Sequence, residues 1–130
     1  MSDLRPKAVG VKLGEQERNL LFTINSIDEI QTTLNMPLID AMKFVARAAD
    51  GRMDHDTLIS FRAVTTILLN CNSTEELTEK EVGGLITLEN YRHVAWSVME
   101  AYGISLPDPD EDEEFEEDDE EIDPNVETGQ

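Results

Sequence analysis

The stretch DHDTLISFRAVTTILLN, residues 54–70, determines how the rest of the chain must fold. Its apolar residues recur at steps of three and four, the period of an α-helix, and cover most of the helix circumference. A helix that is apolar on so many sides needs neighbours on several of them, so we predict a central helix with a narrow polar edge. The predicted apolar stripe is Leu58, Phe61, Thr65 and Leu68, widened by Ile59, Val64, Ile67 and Leu69, and the polar edge is Ser60, Arg62 and Thr66.

Polar residues mark both ends of this central helix. Asp54 or Asp56 can accept hydrogen bonds from its first free amides, and a carboxylate suits the positive end of the helix dipole. Asn70 and Cys71 begin a polar run that ends the helix. Seventeen residues interrupted by Arg62 are too few to cross a bilayer, which favours a core helix.

Two segments near the N-terminus alternate apolar and polar residues, as half-buried strands do. They cover residues 7–13 and 18–24, with a turn at residues 14–17 between them. This pattern predicts a β-hairpin, and because two strands alone are marginal in water, its apolar face should lie against helices. The predicted inward residues are Val9, Val11 and Leu13 in the first strand and Leu20, Phe22 and Ile24 in the second.

Two helices are predicted between the hairpin and the central helix. Ser26 and Glu29 have the spacing of a capping box, which satisfies free amides at a helix start. Pro37 ends that helix and suits the first turn of the next, which should cover residues 37–49 and stop before Gly51. The predicted inner residues are Ile27, Ile30 and Leu34, then Leu38, Met42, Val45 and Ala49, flanked by Ile39 and Ala46.

A short helix is predicted after the central one, opened by a second capping box at Thr78 and Glu81. Its apolar side is Val82, Leu85 and Ile86. Gly83 and Gly84 lie inside it, and each glycine costs roughly 1 kcal/mol relative to alanine. Either a neighbour packs very close at these glycines or the helix is frayed.

The last helix is predicted over residues 91–102, with Asn90 as its cap and Gly103 as its end. Its inward residues are Tyr91, Val94, Ala95, Val98 and Met99. The predicted fold is therefore α+β and mainly α, with an N-terminal β-hairpin packed on about five helices. We expect one domain over residues 1–106.

The acidic residues are concentrated at the C-terminus. Of 29 Asp and Glu residues, 14 lie in residues 107–130, which contain no Lys or Arg, so a net charge of −19 falls to −5 for residues 1–106. Like charge with few apolar residues predicts a disordered acidic tail. The tail either binds a basic partner, with Phe115 as a small anchor, or keeps the protein soluble. Nucleic-acid binding is disfavoured, because it requires clustered basic residues.

Few residues are candidates for chemistry. The segment DGRMDHD, residues 50–56, offers three carboxylates and His55, but Gly51 comes too early for a calcium loop and no bidentate Glu follows. A turn with capping aspartates is the better interpretation. His93 is predicted to be a packing or surface residue, and Cys71 has no nucleophile motif around it. We predict no enzyme and no catalytic, cofactor-binding or metal-binding residue, while the partner-binding residues stay open.

The cysteine count and the N-terminal sequence both favour a cytoplasmic location. A single cysteine allows no internal disulfide, which fits a reducing environment. The first ten residues, MSDLRPKAVG, lack the apolar run of a signal peptide, and no later segment is long enough to cross a bilayer. We expect a cytoplasmic protein without a membrane partner.

Three segments together resemble the tail assembly chaperones of long-tailed, siphovirus-type bacteriophages. They are VGVKLGEQERNLLFT at 9–23, NSIDEIQTTLNMPLIDAM at 25–42, and ELTEKEVGGLI at 76–86, which precedes a final amphipathic helix and an acidic end. The likeness covers residues 8–106. It implies a non-enzymatic chaperone in the host cytoplasm that coats the tape-measure protein, keeps it soluble and is displaced when the tail tube polymerises.

The resemblance implies the tape-measure protein as the main partner and leaves the tail tube protein and self-association open. The alternative function is an acidic DNA mimic or inhibitor, which would use residues 110–123 to occupy a basic site on a nucleic-acid-binding protein. The two functions differ in where binding resides. A chaperone should bind through its folded body, whereas a mimic should lose binding when the tail is removed or salt is raised.

Overall fold

The computed structural model describes residues 8–71 and 76–106 and has the predicted α+β architecture. The tail predicted over residues 107–130, including Phe115, lies outside the described residues. A two-stranded antiparallel hairpin is followed by five helices, of which the third is central. The elements are β1 (Ala8–Leu13), β2 (Gln16–Leu21), α1 (Ile24–Leu34), α2 (Leu38–Ala49), α3 (His55–Asn70), α4 (Glu79–Leu85) and α5 (Tyr91–Ser105).

The hairpin is confirmed, but its turn is shorter than predicted. Leu13 pairs with Gln16, so only Gly14 and Glu15 form the loop. Gly14 has a φ of +64°, which glycine adopts without the steric cost of a side chain. The second strand starts two residues early because the short loop sets the register. Val11, Leu13 and Leu20 are buried, and Phe22 follows them into the core.

The N-cap of helix α1 lies three residues before the predicted cap. Thr23, not Ser26, is the N-cap: its side chain accepts a hydrogen bond from the Ser26 amide, and the Ser26 hydroxyl accepts one from the Thr23 amide. A capping box usually has Glu or Gln at the third helical position, and here the Ser26 hydroxyl accepts the same hydrogen bond. Ile24 is consequently the first helical residue, and it is 80% exposed rather than part of the hairpin core.

Helix α2 follows Asn35, which ends α1 in the left-handed region, and Pro37, which precedes the first helical residue. Gly51 lies just past the helix with a φ of +94°, as expected for a stop signal. The buried face is Ala41, Met42, Val45, Ala48 and Ala49. Ile39, predicted as a flanking inner residue, is instead 61% exposed.

Helix α3 is central as predicted, because it packs against α1, α2, α4 and β2. Its polar edge was predicted wrongly. Ser60 and Thr66 are buried, whereas Leu58, predicted in the stripe, is 40% exposed. The Thr65 and Thr66 hydroxyls donate to the carbonyl oxygens one turn back, at 2.8 and 2.7 Å, which lets threonine be buried at low cost. Only Arg62 of the predicted edge is exposed.

The second capping box is confirmed at Thr78 and Glu81, and α4 follows it with Val82 buried. Helix α5 extends three residues past its predicted end and runs through Gly103, because glycine permits a stop without requiring one. Its buried apolar residues are Tyr91, Val94, Ala95, Val98 and Ala101. Met99, predicted inward, is only partly buried.

Two aromatic pairs join α5 to the rest of the core. Phe61 meets Tyr91 edge to face with ring centroids 5.3 Å apart, and Phe22 lies 5.6 Å from Tyr102. One pair links α5 to α3 and the other links it to the end of the hairpin. Among residues 8–71 and 76–106, no helix combines the length and apolar character that a bilayer-spanning segment needs.

Candidate partner-binding groove

The titratable cluster at residues 50–56 forms the turn between α2 and α3. The Asp54 carboxylate caps α3, accepting from the Thr57 amide at 3.2 Å and from the Thr57 hydroxyl at 2.8 Å. The hydroxyl bond is the main reason why the pKa of Asp54 lies below its usual value. His55 and Asp56 point to solvent at the start of the helix. In the described ranges no three acidic, histidine or cysteine side chains lie close enough to share a metal ion.

The remaining residues considered for chemistry lie apart from each other. His93 is exposed on α5. Cys71 is exposed after the end of α3, and desolvation raises the pKa of its thiol, to which the charge of Glu29 adds. A nucleophilic cysteine needs the opposite shift, so this thiol is not activated.

A mainly apolar groove of about 340 Å³ lies beside the first half of α3. It lies between the α2–α3 loop, α3, α4, the α4–α5 loop and the first residue of α5. We call it the α3 groove. It is lined by Met53, Leu58, Phe61, Arg62, Gly83, Ile86, Thr87, Leu88 and Tyr91.

Three of the lining residues present apolar side chains to solvent. Met53 is 41% exposed, Leu58 is 40% exposed and Leu88 is 80% exposed. Phe61 and Tyr91 are buried behind them, and their edge-to-face contact forms a firm floor. Large apolar side chains are normally withdrawn from water, so three around one concavity make the α3 groove the candidate binding surface among the described residues.

Hydrogen bonds hold the α2–α3 loop against the start of α5. The Tyr91 hydroxyl donates to the backbone carbonyl of Arg52, directly before Met53. Arg92 Nε donates to the carbonyl of Ala49 at 3.2 Å. Desolvation by burial raises the pKa of Tyr91, with a smaller contribution from the charge of Asp54. Met53 is therefore carried by a loop that is anchored at Arg52 and starts from a helix end anchored at Ala49.

Asparagine side chains fix the other wall of the groove. Asn70 Nδ2 donates to the Leu77 carbonyl, and the Leu77 amide donates back to Asn70 Oδ1, both at 2.8 Å. Asn90, predicted as a helix cap, makes no cap bond to α5. It instead accepts from the Thr87 amide at 2.7 Å and donates to the Leu85 carbonyl at 3.1 Å. The segment carrying α4 is thus held at both ends.

Arg62 crosses from α3 to α4 and closes one side of the groove. Its Nε lies 3.6 Å from Glu79, and a Cβ at Gly83 would stand 3.2 Å from Arg62 Cδ. The two glycines predicted a neighbour that packs very close to this helix. At Gly83 that neighbour is Arg62. Gly84 faces open space, so packing does not account for the second glycine.

The sequence patterns missed this groove. Leu58 fits the apolar period of α3 and was predicted to be buried, while Met53 and Leu88 lie in loops that periodicity does not interpret. Helices α2 and α5 each expose one large apolar side chain outside the groove, Ile39 and Trp96. One sequence signal could have revealed the groove: Met53 and Leu88 are large apolar residues in two short polar turns.

Comparisons with models of protein families, with curated proteins and with solved structures found no match.

Proposed function

We propose that this protein is a non-enzymatic tail assembly chaperone of a long-tailed bacteriophage, acting in the host cytoplasm. It binds the tape-measure protein and keeps it soluble until the tail tube polymerises. The observation that supports this proposal best is the α3 groove, with three exposed apolar side chains on a firmly held scaffold. The resemblance of residues 8–106 to this class of protein supplies the identity of the partner.

The lining of the groove favours a protein side chain over a small polar substrate. A substrate pocket brings several polar groups to one point. Here the polar side chains are those of Arg62, already paired with Glu79, and of Thr87, while the Tyr91 hydroxyl is bound to the Arg52 carbonyl. An amphipathic helix laid into a groove needs mainly an apolar surface of this kind.

A titration of tape-measure fragments against the full chain tests the proposal. Binding should persist between roughly 0.05 and 0.5 M salt, because apolar contacts are little affected by screening. A chain ending after Leu106 should bind with similar affinity, provided that its circular dichroism matches that of the full chain. Added protein should also reduce the aggregation of the fragment.

The acidic DNA-mimic function remains the second candidate, since 14 carboxylates in residues 107–130 favour a basic partner. The same titration separates the two functions. If binding requires residues 107–130 and disappears at raised salt, the mimic replaces the chaperone.

A further inference from the structure

The geometry points to one occupant for the α3 groove: an amphipathic helix of another protein whose apolar face is flanked by lysine or arginine. We propose this helix as the ligand, and the proposal rests on the proposed function in taking the partner to be helical. It adds the site at which the helix binds and the charge that it must carry.

The apolar part of the recognition comes from Met53, Leu58 and Leu88. These side chains belong to two loops and one helix, so they surround the groove rather than form a single line. Phe61 and Tyr91 close its floor. Apolar side chains spaced three and four apart on a helix project from one face, which suits a groove with several separated contacts.

The charge part comes from carboxylates next to these apolar residues. Asp54 follows Met53, Asp56 lies two residues before Leu58, and Glu89 follows Leu88. All three are exposed. We call Asp54, Asp56 and Glu89 the acidic rim.

Basic residues at the same end of the molecule offset the acidic rim only in part. Arg62 lines the groove but pairs with Glu79 at 3.6 Å, which leaves Arg52 and Arg92 as the bases against the three carboxylates of the rim. Arg52 is exposed beside Met53. The whole chain carries a net charge of −19, so the long-range field attracts a basic helix and repels an acidic one.

The same charge argues against two other occupants. A second copy of this chain would bring another net charge of −19 to the interface. The chain's own residues 107–130 would bring 14 carboxylates to the acidic rim. Both occupants are distinguished by the experiment below.

The test uses the full chain and two model peptides of roughly 20 residues, long enough to form a helix. In both peptides the leucines are spaced alternately three and four residues apart. The positions beside the leucine face carry lysine in one peptide and glutamate in the other. The lysine peptide should bind at least about tenfold more tightly at low salt, and the difference should shrink near 0.5 M salt. Equal or tighter binding of the glutamate peptide, or no binding of either peptide, overturns the proposal.

Leu58→Asp tests the apolar contact. This change adds a negative charge that attracts the lysine peptide, so a loss of affinity of about tenfold or more would come from the lost apolar contact. Ile39→Asp is the matched control, since Ile39 is also exposed near a helix start but lies outside the groove. Equal affinities of the two variants contradict the site.

Glu89→Lys tests the acidic rim, with Glu29→Lys as a control of the same net charge. Glu29 lies close enough to Cys71, at the far end of α3, to affect its pKa. Glu89→Lys should weaken binding of the lysine peptide more than Glu29→Lys does. Equal effects would mean that only the overall charge matters, and the rim would be excluded.

Two further outcomes concern the other occupants. If Leu58→Asp dissociates a dimer of the full chain, a second copy fills the groove. If removal of residues 107–130 increases binding of both peptides equally, the tail fills it. Either result overturns the proposal.

The proposed function can fail separately. Tape-measure fragments could bind with an affinity that neither Leu58→Asp nor the charge beside the apolar face of the helix changes. The proposed function would then stand and this inference would fail. If the lysine peptide binds in the groove but tape-measure fragments do not bind the chain, the groove specificity stands and the tape-measure partner is wrong.

Discussion

The aliphatic part of Arg62 lies across Gly83, and a Cβ at Gly83 would be 3.2 Å from Arg62 Cδ. This contact lets an arginine of α3 reach Glu79 over the surface of α4. A Cβ at Gly83 would require Arg62 to move by a few tenths of an ångström, whereas one at Gly84 would meet open space.

Alanine at each of these two glycines should therefore give different stabilities. Gly84→Ala should stabilise the protein by about 0.5–1 kcal/mol, since alanine favours the helix and nothing has to move. Gly83→Ala gains the same helix propensity but must shift Arg62, so its net gain should be smaller. Urea denaturation followed by circular dichroism measures both variants. A larger gain at Gly83 would show that Arg62 does not rest there.

Ile67→Asp should unfold or severely destabilise the protein, by about 3 kcal/mol or more, because it buries an unpaired carboxylate in the central helix. Ile67 is only 6% exposed. Arg62→Ala should cost less than about 1 kcal/mol, as expected for an ion pair at the surface. Chemical denaturation of both variants gives the order, and the reverse order would mean that α3 is rotated from this orientation.

Asp54 should make the cap of α3 sensitive to acid. Its pKa in the folded protein lies below the ordinary value of 3.8, mainly because the Thr57 hydroxyl donates to the carboxylate. The stabilisation is therefore present above that value and is lost as pH falls through the folded pKa. Asp54→Asn keeps a capping side chain that does not titrate.

The melting temperature of the unmodified protein should accordingly fall more than that of Asp54→Asn between pH 5 and pH 3. The other carboxylates titrate in both proteins, so the difference isolates Asp54. Parallel curves would rule out a titrating cap.

Tyr91→Phe should remove the hydrogen bond to the Arg52 carbonyl while keeping the contact with Phe61. The expected cost is about 1 kcal/mol. Peptide affinity should fall as well, because the loop that carries Met53 loses an anchor. Tyr91→Ala, which also removes the ring, should cost about 3 kcal/mol or more. If Tyr91→Phe matches the unmodified protein in both stability and peptide affinity, the hydroxyl does not hold the loop.

A chain ending after Leu106 should melt at nearly the same temperature as the full chain, since 14 like charges without a base offer little to packing. Scanning both forms by circular dichroism checks this. A melting temperature lower by several degrees would show that residues 107–130 contribute to the fold.

The fold was predictable because its signals are local. The hairpin follows from alternation, and α4 follows from a capping box at Thr78 and Glu81. The start of α1 was predicted wrongly because Thr23 and Ser26 offer equivalent hydroxyls three residues apart. Nothing local decides between two adequate caps, and the burial of Ser26 settles the choice.

The groove was not predictable from the same signals. Periodicity assigns a residue to a face of its helix, but which face is covered depends on where the neighbouring helices end. Leu58 is exposed although it fits the apolar stripe, whereas Thr66 is buried, and its hydroxyl donates to the Arg62 carbonyl. The groove also combines residues from five parts of the chain, and their proximity is a property of the tertiary fold.

The single tryptophan, Trp96, is 56% exposed on the outer side of α5. Its indole is already largely hydrated in the native state, so unfolding should change the wavelength of its fluorescence only slightly. Within residues 8–71 and 76–106, the buried aromatic rings are those of Phe22, Phe61 and Tyr91. Unfolding should therefore appear more clearly in the near-ultraviolet circular dichroism of tyrosine than in tryptophan emission.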